Sequence, residues 1–405
     1  FSKNYEVGKK LGHQIASSLD DGDAIIQNDP KKLKMVATFI NAANDGNLKL
    51  IVSILKQGIV GINAKFLGFT ALYGAVLNDR EDVVKYLIKI CFVLKRKYVP
   101  YSKWLTIVFK SLDLKVFKII PTTDVKGVVQ IFHGMGEHKD RYIDFAKFLA
   151  KNGYAVYAHD HRKHGMSVKN PEDVGIFTSE DLWEDVIADC NLVNRVIKKE
   201  MPEQPIIVLG HSMGSVIARG FLGEYPLVPK KAIIMGTLPP FTLTKALAPI
   251  MISWFLKVFT SKTKRSVFLA NLLNKGMQPE YQIPRTEFDW LSTDDELVDK
   301  YIADPLCGYA YTPQFYNQFF KGIVSVNKSN NISKTKHIPI LFISGEADPV
   351  GEKGAGVKDV YRQYNGHGYT QLTLELVKDA KHEVLNEVNK LSTYKFILDW
   401  LDTSE

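Results

Sequence analysis

Pro205-Ile206-Ile207-Val208-Leu209-Gly210-His211-Ser212-Met213-Gly214 decides how this chain is read. The apolar run has the length and composition of a buried strand, and Ser215 to Leu222 reads as a helix. Strand, sharp turn and helix are the setting in which G-x-S-x-G becomes a nucleophile elbow. Gly210 and Gly214 let the helix lie close to the strand, and the turn lifts the Ser212 hydroxyl clear of the backbone. Alone, the five-residue motif is a weak signal, because a serine between glycines is also an ordinary turn.

The order of the parts around the motif gives it weight. A serine hydroxyl is a poor nucleophile until a base takes its proton, and that base must be held in one tautomer by an acid. Downstream, Ile338 to Gly345 reads as a buried strand, and Asp348 sits just past its end. A second strand, Thr370 to Val377, leads into Asp379-Ala380-Lys381-His382-Glu383 ahead of a final helix. Ser212, Asp348 and His382 therefore follow the chain order Ser, acid, His of hydrolases built on this elbow. Upstream, the strand Gly127 to Phe132 runs into His133-Gly134-Met135-Gly136-Glu137-His138. Its glycines let the backbone curl, so the N–H groups of Met135 and Met213 are the expected oxyanion donors. Each part has a bland explanation: Asp-Pro starts turns, and with 10 histidines in the chain one near the C-terminus proves little. Four parts at strand ends in one order have no such explanation. This chemistry needs no metal and no organic cofactor.

These residues resemble the monoacylglycerol lipase and lysophospholipase family of α/β-hydrolases. The segments that carry the likeness are Phe132 to His138 with Arg141-Tyr142, Tyr157 to Ser167, Gly210 to Gly214, Gly345 to Val350, and Asp379 to His382. The likeness spans roughly residues 106–404. It implies an α/β-hydrolase fold, a triad of Ser212, Asp348 and His382, and an oxyanion hole at the Met135 and Met213 backbone. The implied activity is hydrolysis of single-chain acyl esters, with monoacylglycerol first and lysophospholipid or a short-chain ester as alternatives. The sequence departs from the family at Lys163, where a glycine is usual, and the local turn is expected to differ there.

About a hundred residues separate the strand Lys231 to Met235 from the Asp348 strand, far more than one α/β unit needs. The excess, roughly 238–294, reads as a lid over the site. Its front, Ala246 to Leu256, is strongly apolar and is followed by Lys257, Lys262, Lys264 and Arg265. Such a segment lines an acyl tunnel or rests on a membrane surface with its cations near phosphates, although packing on the core would explain the same apolarity.

Ahead of the hydrolase, Asn41 to Leu55 and Gly68 to Ile88 form two similar units. Gly68-Phe69-Thr70-Ala71-Leu72-Tyr73-Gly74-Ala75 resembles the ankyrin T-P-L-H-x-A signature, with Ala71 and Tyr73 in place of its Pro and His. The domain expectation is thus a small all-α ankyrin-like segment over 1–100, with its linker at Tyr98-Val99-Pro100-Tyr101, and a hydrolase over 101–405. Ankyrin units suggest a docked protein partner; the bland alternative is a helical cap. A binding protein that uses the hydrolase fold only as a scaffold is the non-enzymatic reading, and an intact triad argues against it.

The formal charge of +8 lies entirely in residues 1–110, partly in Lys95-Arg96-Lys97, and the rest of the chain is balanced. That distribution favours a solvated linker and gives no case for a nucleic-acid partner. Cys91, Cys190 and Cys307 are far apart and in no metal-ligand spacing. A reducing, cytoplasmic setting is expected, with membrane contact at most peripheral, since neither a signal peptide nor a long apolar run is evident.

Overall fold

Strand β7 (Ile206–His211) shows why the central sheet forms. Every one of its residues is buried, with Val208 in one apolar cluster and Ile207 and Leu209 in the cluster on the opposite face. A strand apolar on both faces is stable only between two layers of helices. The computed structural model describes residues 112–403 apart from 179–180, 242 and 278–283, together with strand 101–109 and scattered positions between 38 and 70. The chain divides into two compact units, 1–99 and 100–405.

In the first unit Ala42 and Ile51 are buried, and the Asn47 side chain accepts the Leu50 N–H at 3.1 Å. Strands β1 (Lys65–Phe66) and β2 (Phe69–Thr70) pair as a short antiparallel hairpin. Most residues behind the ankyrin-like reading, with the basic cluster 95–97 and the linker at 98–100, lie outside the described residues.

The second unit holds an eight-stranded sheet in the order β10-β9-β8-β7-β5-β6-β4-β3. Strands β5 (Gly127–Phe132), β6 (Tyr154–His159), β7, β8 (Pro229–Met235), β9 (Ile340–Gly345) and β10 (Leu372–Val377) run parallel. An antiparallel hairpin, β3 (Tyr101–Phe109) and β4 (Leu112–Ile120), closes one edge. The sequence reading contains no such hairpin, although Leu112, Leu114 and Val116 alternate with Asp113 and Lys115 as a half-buried strand should.

Helices α1 (Ile143–Lys151) and α10 (Lys390–Asp402) cover Ile131, Leu209, Ile233 and Leu341 on one face. Helices α2 (Trp183–Glu200), α3 (Met213–Glu224) and α9 (Ala355–Gly366) cover Val208, Ile234 and Phe342 on the other. Among the described residues, five helices lie between β8 and β9: α4 (Leu243–Phe259), α5 (Val267–Met277), α6 (Asp295–Ala303), α7 (Pro313–Val326) and α8 (Ser329–Lys334). Helix α7 packs against both α3 and α4, so it joins this insertion to the hydrolase core. Asn317 on α7 donates to the Ile250 carbonyl of α4 at 3.0 Å. Helices α4 and α5 leave Leu247, Met251, Phe255, Phe259 and Phe268 exposed, by 68 % at Phe259, so this apolarity is not spent on the core.

Candidate active site

Ser212 lies between β7 and α3 with φ 54° and ψ −119°, a conformation disfavoured for any residue with a side chain. The two glycines make it attainable. A Cβ on Gly210 would lie 2.1 Å from the Gly214 carbonyl oxygen, and one on Gly214 would lie 2.0 Å from that of Phe132. Both are backbone collisions that no rotamer relieves. The turn is pinned by the Ser212 N–H donating to the Met235 carbonyl at 2.9 Å. Ser212 itself remains partly exposed between buried His211 and Met213.

Asp348 and His382 follow adjacent parallel strands, β9 and β10, which brings them together across 34 residues. His382 Nδ1 lies 3.0 Å from both Asp348 carboxylate oxygens. The Ser344 hydroxyl (2.8 Å) and the Val350 N–H (2.9 Å) also donate to this carboxylate. Burial pushes Asp348 up, but the facing His382 ring and these hydrogen bonds hold it below its ordinary value. An anionic Asp348 fixes the proton on Nδ1 and leaves Nε2 free to act as a base. Nε2 is buried without a hydrogen-bond partner, and Ser212 and His382 line the same cavity. The remaining walls are mostly apolar, including Leu238, Leu273, Met277 and Phe319.

Among the described residues neither the Met135 nor the Met213 N–H donates to a protein acceptor. Their loop is held from several sides. Gly134 N–H donates to Glu137, and Gly136 N–H donates to the Tyr311 hydroxyl at 2.6 Å. His164 Nδ1 donates to the Arg162 carbonyl (2.8 Å), so its Nε2 accepts from that same tyrosine (2.8 Å). Glu137 also accepts from Tyr142 (2.8 Å), Arg141 (3.0 Å) and His211 (3.2 Å). Despite its burial, these contacts keep its carboxyl well below the usual carboxylate range; the same contact raises His211 against the opposing effect of burial. Tyr311, far away in sequence, had no signal to connect it with the loop.

Asp289 to Ser292, to which the sequence assigns no role, brace the histidine. Trp290 packs on His382 with ring centroids 5.3 Å apart. Glu383 N–H donates to the Leu291 carbonyl at 2.8 Å, and Lys381 Nζ donates to the Asp289 and Ser292 carbonyls. Lys163 takes φ 61°, a left-handed conformation that glycine adopts easily and that places strain on a lysine.

His133, His159, His161 and His164 form a buried cluster at the start of the loop after β5, with His133 and His161 centroids 4.2 Å apart. Burial lowers all four; His159 and His164 fall to about 4. Each is neutral when folded but takes a proton in the unfolded chain below about pH 6.5. Their contribution is therefore present above pH 6.5 and is lost as the pH falls towards 4. The unfolding free energy from urea titration is expected to drop across that window, by about 1.4 kcal/mol per pH unit for each histidine fully engaged, and the midpoint with it. A flat midpoint would mean that the cluster protonates without unfolding.

The sheet order, the serine elbow and the acid and histidine loops after β9 and β10 define the α/β-hydrolase fold. The chain belongs to the family described as serine aminopeptidase, S33, whose profile matches residues 123–389. A monoacylglycerol lipase of Mycolicibacterium smegmatis is 26 % identical over 69 % of this chain and 90 % of its own length. A monoglyceride lipase homolog of Monkeypox virus is 27 % identical over 69 % of this chain and 91 % of its own. Among solved structures, a carboxyl esterase from Bacillus coagulans in complex with glycerol aligns with a TM-score of 0.69 at 23 % identity, covering 75 % of this chain and 99 % of that one.

Proposed function

We propose that this chain is a serine esterase that hydrolyses monoacylglycerol to glycerol and a fatty acid. Ser212 is its nucleophile, His382 its base, Asp348 the orienting acid, and the Met135 and Met213 N–H groups its oxyanion donors. The observation that carries this reading is the pairing of His382 with Asp348 in the apolar cavity that also holds Ser212. The lipase relatives support the choice of acyl glycerol.

In the reaction, His382 Nε2 takes the Ser212 proton as Oγ attacks the ester carbonyl. The two N–H groups hold the oxyanion; the Met213 group opens α3, where the helix dipole adds to the attraction. His382 returns the proton to the departing glycerol, then activates the water that frees the fatty acid. The test is release of fatty acid from monoacylglycerol and lysophosphatidylcholine by the chain and by Ser212→Ala. Serine-dependent release with monoacylglycerol faster is expected. Faster lysophosphatidylcholine, or a preference for two- to four-carbon acyl groups, would move the substrate to the alternatives.

On this reading 238–294 is the lid, and the exposed face of α4 and α5 meets the lipid surface, with exposed Lys262 and Lys264 beside it. Among the described residues no helix is long and apolar enough to cross a membrane, which fits peripheral contact. Replacing Phe255 and Phe259 together by serine is expected to slow hydrolysis of vesicle-borne monoacylglycerol about tenfold. Turnover of a soluble ester should be unchanged; equal losses on both would assign these residues to folding instead. The ankyrin-like segment completes the reading as a docking module for a protein partner, in a cytoplasmic setting that keeps Cys190 and Cys307 as free thiols.

A further inference from the structure

Three donors from two loops converge beside the oxyanion loop. His138 ends that loop, Asp304 follows α6, and the Cys307 N–H donates to the Asp304 carbonyl at 3.0 Å. One ligand atom from each of His138, Asp304 and Cys307 lies within 4.8 Å of the other two. His138 Nε2 is 2.9 Å from Asp304 Oδ2. An imidazole, a carboxylate and a thiol suit a borderline-soft divalent cation such as zinc, whereas calcium and magnesium prefer all-oxygen sites. Three protein ligands and one open position are a common zinc arrangement.

The surroundings fit a cation. Asp140 Oδ2 lies 3.8 Å from His138 Nδ1, where an outer carboxylate steadies a metal-bound imidazole. Asp304 Oδ1 accepts the Leu306 N–H at 2.8 Å, which orients the carboxylate. The nearby cations are already engaged: Lys139 with Asp160 and Asp140, and Arg141 with Glu137 and Glu383.

We propose that His138, Asp304 and Cys307 form a binding site for zinc or a similar divalent cation, and that the bound cation slows the enzyme. Binding breaks the Cys307 Sγ–H bond, forms an Sγ–metal bond and releases that proton to water. The imidazole proton then resides on Nδ1, facing Asp140, and the long 3.3 Å bond that Nδ1 accepts from the Asp140 N–H is given up. No oxidation or reduction is involved. Metal–nitrogen and metal–oxygen bonds of about 2.0–2.2 Å in a tetrahedron need the two donors roughly 3.3 Å apart, and the thiolate must move inward to about 2.3 Å from the metal.

This movement has a route to the reacting centre. Gly308, next to Cys307, donates its N–H to the Gly136 carbonyl at 2.9 Å, and Gly136 adjoins Met135. Oxyanion donors lose effect when displaced by a fraction of an ångström. The effect on turnover rests on the proposed function; the binding does not.

The test uses the full chain and cadmium as a probe for zinc. Cadmium is expected to produce one equivalent of thiolate-to-metal absorption in the near ultraviolet. Cys307→Ser should remove that equivalent, and His138→Gln should weaken it at least tenfold with the thiol intact. Cys190→Ala, which removes the buried thiol beside His159 and His161, should leave it in place. Micromolar zinc should lower kcat on a soluble ester at least fivefold, reversibly with chelator, and have no such effect on Cys307→Ser, each chain being compared with its own metal-free turnover. Absence of the band, or its survival unweakened in His138→Gln, overturns the site. Equal zinc inhibition of Cys307→Ser overturns the link to turnover and places the inhibiting metal elsewhere, with His382 the first alternative. A chain that binds cadmium in this way but releases no fatty acid would overturn the esterase reading and keep the site.

Discussion

Ser212→Ala is expected to lower fatty-acid release by about 10⁴-fold or more, because the residual oxyanion donors and cavity supply only the weaker part of catalysis. The folded state should survive, since alanine occupies less space in the same elbow. A companion variant makes the expectation sharper. At φ 54° and ψ −119°, Ser212 occupies a conformation that favours glycine. Relief of about 1–3 kcal/mol of strain outweighs the roughly 0.5–1 kcal/mol that glycine loses through its freer unfolded chain. Ser212→Gly should therefore be as inactive as Ser212→Ala yet more stable than the parent, by about 1 kcal/mol. Urea unfolding beside the fatty-acid assay checks both. Full activity in either variant would remove Ser212 from the nucleophile's role, and a destabilised glycine variant would contradict the strain.

Gly214→Ala is expected to have the largest effect on stability for the smallest change of mass. The added methyl would lie 2.0 Å from the Phe132 carbonyl oxygen and 2.6 Å from that of His133. Both are backbone atoms at the end of β5, in the centre of the sheet, so neither can move without disturbing β6 and β7. A loss of about 3 kcal/mol, the upper end for overpacking, follows because both colliding atoms are backbone. Any molecules that fold would have α3 displaced and the Met213 N–H misplaced with it, so kcat should also fall. Gly366→Ala is the control, because nothing lies within 4 Å of a Cβ there. An unchanged melting temperature for Gly214→Ala would mean that strand and helix do not pack as closely as described.

The legible parts of this protein were those in which one short segment carries its own explanation. The elbow is written in ten consecutive residues, because a buried parallel strand must be apolar on both faces and the turn after it must carry no Cβ two residues either side of the serine. Asp348 and His382 were legible because parallel strands present their following loops at one edge of the sheet. The β3–β4 hairpin was missed although its alternation was visible, because nothing in the local pattern says that an edge strand precedes the parallel run. The sequence places Cys307 in no metal spacing along the chain, and its approach to His138 and Asp304 arises only in the fold.

The sequence by itself determined the α/β class, the placing of Ser212, Asp348 and His382 just past the ends of three strands in that chain order, and the close strand-to-helix approach at Gly210 and Gly214. Only the tertiary structure decided what surrounds them, with Tyr311 and Glu137 bonded to the loop after β5 and Trp290 against His382, and that one face of α4 and α5 stays exposed. The reason is physical. Periodicity and steric demand act between neighbours in the chain and leave a local mark, whereas a hydrogen bond between residues 175 apart, such as Gly136 to Tyr311, leaves none until the chain has folded.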